Sequence, residues 1–500
     1  MSLSKTEAEA GVTFSNDHDG GGNSTTPLPS QPGSGQNVFS RLYHEPWCQV
    51  GLISLISFCN PGMYNALTGM GGSGQVDSTV AANSNVATHA ATAGAALVLV
   101  GAFYKYLGPR LSLLLGGWTY ALYAGALLHY NRTANGSFVI AAGALLGIGA
   151  AFFWVAQGTI MVTYTDDNSR GRAIGLFWVI FNLGGAIGSL ASFGLNFHSK
   201  SGTVTDSTYI AYMVVMLFGW ALSLLVSSTE TLSTKYHGSR IPTASKTLNW
   251  ANVRSSVGQA IKIIFDWKIM CLYPMFYNAN VFYSYQQNNV NGMTFNLRTR
   301  SLNGALYWIA QMVGGLLMGV VLDLHLRQRQ LNRRTRAQIG WAILFVTGMA
   351  IWGGGYRFQV WDDRRLKQGL KQDIDYRAGS QYLGPMFLYF FYGVYDSFWQ
   401  AYCYWIIGAQ SHNPVVNAVI VGAYSALKPA GGAMAWRINA EKVSPMTQFA
   451  MNWGLSMGSL LLAVPTVWTL HKVSYASDHD SDSPPFGQGE SPESLDCSKV

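Results

Sequence analysis

Charge is what this sequence has least of. Asp, Glu, Lys and Arg make up only 11% of its 500 residues, against about 25% in soluble domains. So few charges cannot cover the surface of a soluble protein of this size. Cysteine is sparse too: Cys48, Cys59, Cys271, Cys403 and Cys497 form no CxxC pair and no His/Cys metal spacing. Neither a disulfide framework nor a metal site is expected. No P-loop, GxSxG or HExxH pattern occurs, so no enzyme activity and no cofactor is expected. Work done by this chain would draw on a gradient or on downhill flow. The first forty residues lack the apolar run of a cleavable signal peptide, so the first membrane helix would act as an uncleaved signal.

What the chain has instead is apolar length, at 49% hydrophobic residues. Runs near the spanning length of about 20 residues fall at 47–70, 88–107, 111–130, 138–164, 173–197 and 208–226, and again at 268–290, 302–322, 339–355, 382–408, 414–434 and 449–471. The expected organisation is a disordered N-terminal tail (1–45), a six-helix half (46–226), a cytosolic linker (227–267), a second six-helix half (268–472) and a disordered C-terminal tail (473–500). Both tails are acidic: 1–40 carries net −3 and 473–500 net −5, and subtracting both from the chain's +8 leaves +16 on the membrane body. That excess reports topology rather than nucleic-acid binding. Placing both termini in the cytosol puts most basic residues there, Arg110, Arg170, Arg172 and Arg327 to Arg336 among them. The loop 356–381, with Arg357, Arg364, Arg365, Lys367, Lys371 and Arg377, is an exception. The same orientation makes the sequons at Asn131 and Asn135 lumenal, where glycosylation occurs. The sequence leaves open whether the membrane is the plasma membrane or an endomembrane.

A six-plus-six layout suggests the major facilitator fold: an all-α polytopic membrane protein of 12 transmembrane helices in two halves around a central cavity. The usual glycine–acid–basic loop is degenerate in the first half, where Lys105 stands between Gly101 and Arg110 in place of an acid. In the second half Gly319 and Asp323 keep the pattern. Helix breakers interrupt the first span at Asn60-Pro61-Gly62, with Asn65 and Thr68 following at near-helical spacing. Broken helices in a bilayer need protein or water partners for their freed carbonyls. A cavity-lining role and simple close packing of small residues both fit this stretch.

Several blocks resemble the uncoordinated-93-like family of the major facilitator superfamily, its fungal members in particular. They are Asn60-Pro61-Gly62-Met63-Tyr64-Asn65 with Gly69 and Gly71-Gly72, Arg170-Gly171-Arg172 with Asn182-Leu183-Gly184-Gly185, and Tyr283-Ser284-Tyr285-Gln286 with Asn291-Gly292. The resemblance implies a twelve-helix membrane protein but no substrate, because members of this family are described variously as transporters, channel-associated regulators and chaperones.

Two charges stand inside spans, where each costs at least about 2.5 kcal/mol unless paired or hydrated. Asp396 lies mid-helix and Lys428 in the next span. Counted from the expected lumenal ends, they lie about 14 and about 6 residues deep, an offset of about 12 Å at about 1.5 Å per residue. They are candidate coupling groups, or else a structural pair. Gln157, Asn182, Tyr285, Gln286 and Gln287 are neutral candidates for a cavity; Gln157, Asn182, Gln286 and Gln287, like Gln311, also read as interhelical glue. Asp166, Arg170 and Arg172, with Asp323 in the matching loop, are candidates for a cytosolic gate. The expected function is a secondary transporter moving a small solute by alternating access. The alternative is a non-transporting regulator or chaperone of another membrane protein. The expected partners are the bilayer and either a small solute or a second membrane protein.

Overall fold

Proline decides where the first pass breaks. Helix α1 (Pro46–Ser57) widens into a π-helical turn, Phe58–Gly62, around Pro61 and resumes as α2 (Met63–Gly69). Proline lacks the N–H of a regular turn and collides with the carbonyl before it, and the wider turn accommodates both. The computed structural model describes residues 43, 45–75, 78–96, 101–163, 170–198, 204–227, 258, 261–322, 325–326, 329–330, 332–411 and 414–470.

The first half continues with α3 (Thr79–Ala95), α4 (Gly101–Thr133), α5 (Ser137–Thr163), α6 (Arg170–Leu195) and α7 (Asp206–Leu222). Gly108, at φ +66°, bends the chain inside α4, so the connection before the third pass is a kink rather than a loop. Arg110, two residues on, donates from Nε to the Val226 carbonyl at 2.6 Å and ties the third pass to the end of the sixth.

The second half opens with a pass in pieces: α8 (Trp267–Met270), α9 (Tyr273–Asn278), α10 (Phe282–Ser284) and a π-helical stretch, Tyr285–Gly292. The pieces α11 (Leu297–Leu322), α12 (Arg333–Lys367), α13 (Ser380–Gln410), α14 (Pro414–Ala440) and α15 (Pro445–Thr469) follow. A small antiparallel ladder after α11 pairs β1 (His325–Leu326) with β2 (Arg329–Gln330).

The architecture is twelve passes in two six-helix halves. Among the described residues, seven helices are long and apolar enough to cross a membrane; the first and seventh passes are broken into shorter pieces. The halves meet along two seams, α3 against α14 and α6 against α11. Most buried apolar side chains form two clusters, one per half. Large apolar residues such as Val214, Phe218, Leu316, Val320 and Leu461 point outward and stay exposed, as a lipid-facing surface requires. An even number of passes places Pro46 and Thr469 at the same end of the bundle. That end is called proximal below, and the opposite end distal.

Several boundaries differ from the sequence expectation: the eighth, ninth and twelfth passes begin four to six residues early, and three further differences bear on packing and the site. The second pass begins at Thr79 rather than 88. Its polar first turns are hidden because they face another helix: Ser84 Oγ donates to the Val139 carbonyl at 2.8 Å, and a Cβ on Gly147 would lie 2.2 Å from the Thr88 carbonyl oxygen. The ninth pass runs on to Lys367 rather than ending near 355. The basic residues between 357 and 367 therefore belong to a helix extension, where Arg365 pairs with Asp373 at 2.5 Å. The eleventh pass reaches Ala440 rather than 434.

Candidate functional site

The longer eleventh helix brings the two membrane charges to similar depth. Lys428 lies 12 residues from Ala440, and Asp396 lies 16 from Ser380. At about 1.5 Å per residue the offset falls to about 6 Å. They still do not touch. Gln400, one turn after Asp396 on α13, stands between them. Its Oε1 accepts from Lys428 Nζ at 3.1 Å and from the Tyr424 hydroxyl. Its Nε2 donates to the Ala279 carbonyl at 2.7 Å and to Asp396 Oδ1 at 3.4 Å. The amide is therefore oriented with its oxygen toward the cation and its nitrogen toward the anion.

Asp396 is fully buried. Its Oδ2 accepts from the Tyr283 hydroxyl, from Gln311 Nε2 and from the Tyr307 hydroxyl at 3.4 Å. The single Tyr307 proton is shared between Asp396 and Gln286 Oε1, the nearer at 2.8 Å, while Gln286 Nε2 has no partner among the described residues. The seventh, eighth and tenth passes thus converge on one carboxylate, and the eleventh reaches it through Gln400. An ionised carboxylate accepts hydrogen bonds at both oxygens, and these donors replace the water it gave up. Lys428 is partly exposed, with its ammonium 5.6 Å from the Tyr424 ring centroid.

A second polar cluster joins the halves at the distal end. The glycine-rich turn after α2 meets the π-helical end of the seventh pass. Asn288 Oδ1 accepts from the Gly72 amide at 2.7 Å, and Asn291 Nδ2 donates to the Gly69 carbonyl at 2.8 Å. Tyr389 donates to the same carbonyl at 3.3 Å, and the Ser192 and Ser301 hydroxyls lie 3.2 Å apart. Gly71, at φ +72°, allows this approach, because a Cβ there would stand 2.4 Å from the Gln287 carbonyl oxygen. Asn439 braces the seam, accepting from Asn288 at 2.7 Å and donating to Asn289 at 3.0 Å. Nearer the proximal end the halves meet through aromatic rings, Trp178 against Tyr404 at 6.3 Å.

A strap outside the membrane spans borders the distal seam. Asp375 accepts from Arg298 Nε at 2.5 Å and from Asn296 at 2.7 Å. Partial burial pushes the Asp375 carboxyl up, but these hydrogen bonds outweigh burial and hold it below the usual carboxylate range.

Other sequence candidates fall elsewhere. Asn60 is buried in the core of the first half, donating to the Ile56 carbonyl at 3.1 Å beneath Gly219. The break beside it lets Gly184 pack on the Phe58 carbonyl, where a Cβ would approach to 2.5 Å. Asn182 donates to the Trp178 carbonyl of its own helix at 3.0 Å. Tyr285 is buried and donates to Gln359 at 2.6 Å, away from Asp396. Gln287 is buried at the seam, where its carbonyl faces Gly71. Asn65 and Gln157 are partly exposed. Asp166 and Asp323 lie outside the described residues, as do the side chains of Arg170 and Arg172. Asn131 is a helical residue, its Nδ2 held by Asp206 at 2.7 Å, whereas Asn135 is exposed in the turn that follows.

Gln400, Tyr307 and Asn439 were not singled out as site residues from sequence, whereas Tyr283 belongs to the polar run 283–289 expected to face the cavity. For Gln400 the signal was present: it stands four residues after Asp396 and so shares its helix face.

Comparison with known proteins agrees with this architecture. Residues 50–437 match the family described as Major Facilitator Superfamily. UNC93-like protein 1 of Arabidopsis thaliana is 39% identical over 444 residues, covering 88% of this chain and 93% of that protein. An UNC93-like protein of Schizosaccharomyces pombe is 36% identical over 453 residues, covering 90% of this chain and 87% of its own. Among solved structures, a D-xylose-proton symporter superposes with a TM-score of 0.56 at 12% identity, covering 84% of this chain and 97% of its own. A peptide transporter bound to sulfate gives 0.57 at 11%, covering 85% and 94%. At such identities the two structures speak to the fold alone.

Proposed function

Because the chain belongs to the major facilitator superfamily and, within it, to the UNC93-like proteins, we propose that it is a secondary transporter that moves a small solute by alternating access of its two halves. The observation that carries this reading is the midplane network. A fully buried carboxylate, Asp396, and a part-buried lysine, Lys428, are bridged by Gln400 among the described residues. A protein that used this fold only to hold a partner would have no need of charges at the membrane centre, where each is costly. A network with one sealed charge and one on a part-buried side chain suits a site whose protonation and ligation change through a cycle.

The distal seam supplies the moving part. Among the described residues, the hydrogen bonds that tie Gly69, Gly72 and Ser192 to the second half involve neutral groups, and Arg437 donates to Asn83 beside them. Neutral pairs of this kind contribute about 0.5–1.5 kcal/mol each, so the seam is strong enough to seal yet weak enough to part. With both termini in the cytosol, the distal seam lies on the lumenal side.

The reading is tested by thermal unfolding of the purified chain against a library of metabolites, ions and lipids. A ligand that binds only the folded state adds about 2.7 kcal/mol at 100 times its Kd. Transport predicts a reproducible hit that Asp396→Asn weakens while the protein stays folded. An absence of hits from a folded sample would instead favour the regulator, with capture of a partner membrane protein as the next experiment.

A further inference from the structure

Asp396 and Lys428 differ in access, and the difference selects a kind of solute. The Asp396 carboxylate is sealed behind Tyr283, Tyr307, Gln311 and Gln400. Lys428 is partly exposed and spends one of its three N–H groups on Gln400. It lies on α14, the helix that forms a seam with α3 of the other half. One turn further on, Gly432 makes room for the His89 ring of α3, which a Cβ there would approach to 3.3 Å. The cation thus stands at the seam between the halves, and its counter-charge is hidden behind it.

We propose, on the premise of transport set out above, that the solute is an organic monoanion whose carboxylate docks on Lys428 Nζ, and that Asp396 takes up one proton for each anion carried. A cationic solute would meet the like charge of Lys428 and find Asp396 already occupied by donors. A neutral solute would make no use of a cation at the seam. The empty site holds one positive and one negative charge. Adding a monoanion leaves an excess negative charge in a low-dielectric region, which is unfavourable. One proton on Asp396 restores neutrality. It enters from the same compartment as the anion and leaves with it, so a full cycle moves one anion and one proton and no net charge.

Tyr283 is placed to pass that proton. Its hydroxyl donates to Asp396, and its ring packs on the cluster of Ala82, Trp436 and Ala440 that joins α3 to α14. The other titratable groups around Asp396 are Tyr307 of α11, Tyr389 and Cys403 of α13, and Tyr424 and Lys428 of α14. Among the described residues, Lys428 is the one cation of this group, and Asp396 is its one carboxylate.

Thermal unfolding of the full chain in detergent tests the assignment with matched probes: sodium lactate, pyruvate and nicotinate, the corresponding amides, and the cations choline and ethanolamine. Carboxylates are expected to raise the melting temperature, and amides and cations are not. Lys428→Gln is expected to weaken the carboxylate at least about tenfold, and Lys428→Arg to retain it. If Lys428→Gln does not fold, the wild-type protein alone still decides: coupled proton uptake makes carboxylate affinity fall by up to about tenfold per unit rise in pH. Stabilisation by the amides or cations instead of the carboxylates, unchanged affinity in a folded Lys428→Gln, or a pH-independent affinity would each overturn the proposal. So would no response to any carboxylate. In that case a hit of another class in the wider library would leave transport standing, and no hit at all would remove both.

Discussion

Gln400 holds Asp396 and Lys428 in one network without letting them pair. It uses both ends of one amide, Oε1 on the lysine and Nε2 on the aspartate. Gln400→Leu would leave a buried carboxylate short of a donor and an ammonium without its acceptor, at a cost of about 1–3 kcal/mol. A lower melting temperature with loss of ligand response is the expected outcome, and an unchanged variant would show that the bridge is idle. At this scale the sequence was partly legible. Asp396 and Lys428 stand out because charge is costly in a membrane, and no pairing rule is needed to find them. Asn60 and Asn182 stand out equally by composition, yet each donates to a carbonyl four residues back on its own helix. An asparagine that serves its own backbone and one that faces a ligand look alike in one dimension.

Outside the membrane, Asp375 gives a pH prediction. Hydrogen bonds from Arg298 and Asn296 depress its folded pKa. The stability it contributes is therefore fully present above the ordinary aspartate value of about 4 and is lost as pH falls through the lower folded value. Wild-type protein is expected to melt above Asp375→Asn at pH 7, with the gap closing toward pH 3. A gap that persists in acid would point to packing rather than charge.

Among the elements, the two broken passes carry the most information. They occupy the same position in the two halves, but their breaks serve different ends. The first break, at Phe58–Gly62, admits the fifth pass into close contact. The π-helical stretch Tyr285–Gly292 forms the seam with the turn that follows α2. Gly71→Ala places a Cβ against the Gln287 carbonyl at a positive φ. A cost of about 1–3 kcal/mol is expected, together with a distal end that no longer closes and becomes reactive to an impermeant thiol reagent at Ser301→Cys. Labelling no faster than in a Gly71 background would contradict the role of this contact. Gly147→Val, inside the first half, drives a side chain into the Thr88 carbonyl and is expected to lower expression without altering distal reactivity.

Element boundaries show where hydropathy stops being a guide. Helices with lipid on one side were found from apolar length alone. The start of the second pass was missed because Ser84, Asn85 and Thr88 are buried between helices, where polarity is satisfied by protein rather than excluded. The ends of the ninth and eleventh passes were missed because a helix can leave the bilayer and keep its hydrogen bonds. That last error mattered most: six more residues of helix bring Lys428 toward the depth of Asp396 and carry Asn439 to the seam.

For the whole molecule, the proposed transport makes the arrangement seen here, with hydrogen bonds joining the halves at one end and aromatic contact toward the other, one member of a pair of states. Alternating access requires the second. Arg437 and Asn83 report it directly, since they lie on opposite halves at the distal end, within 3.3 Å of each other. Arg437 is exposed and Asn83 partly so. Spin labels at these two positions in a cysteine-free background, with the protein in lipid nanodiscs, give the distance across the seam by pulsed electron resonance. Two populations are expected: the short one described here and a longer one, with their ratio moved by pH and by any solute that stabilises the protein. A single short distance under every pH and ligand condition, in a protein that binds its solute, would contradict alternating access.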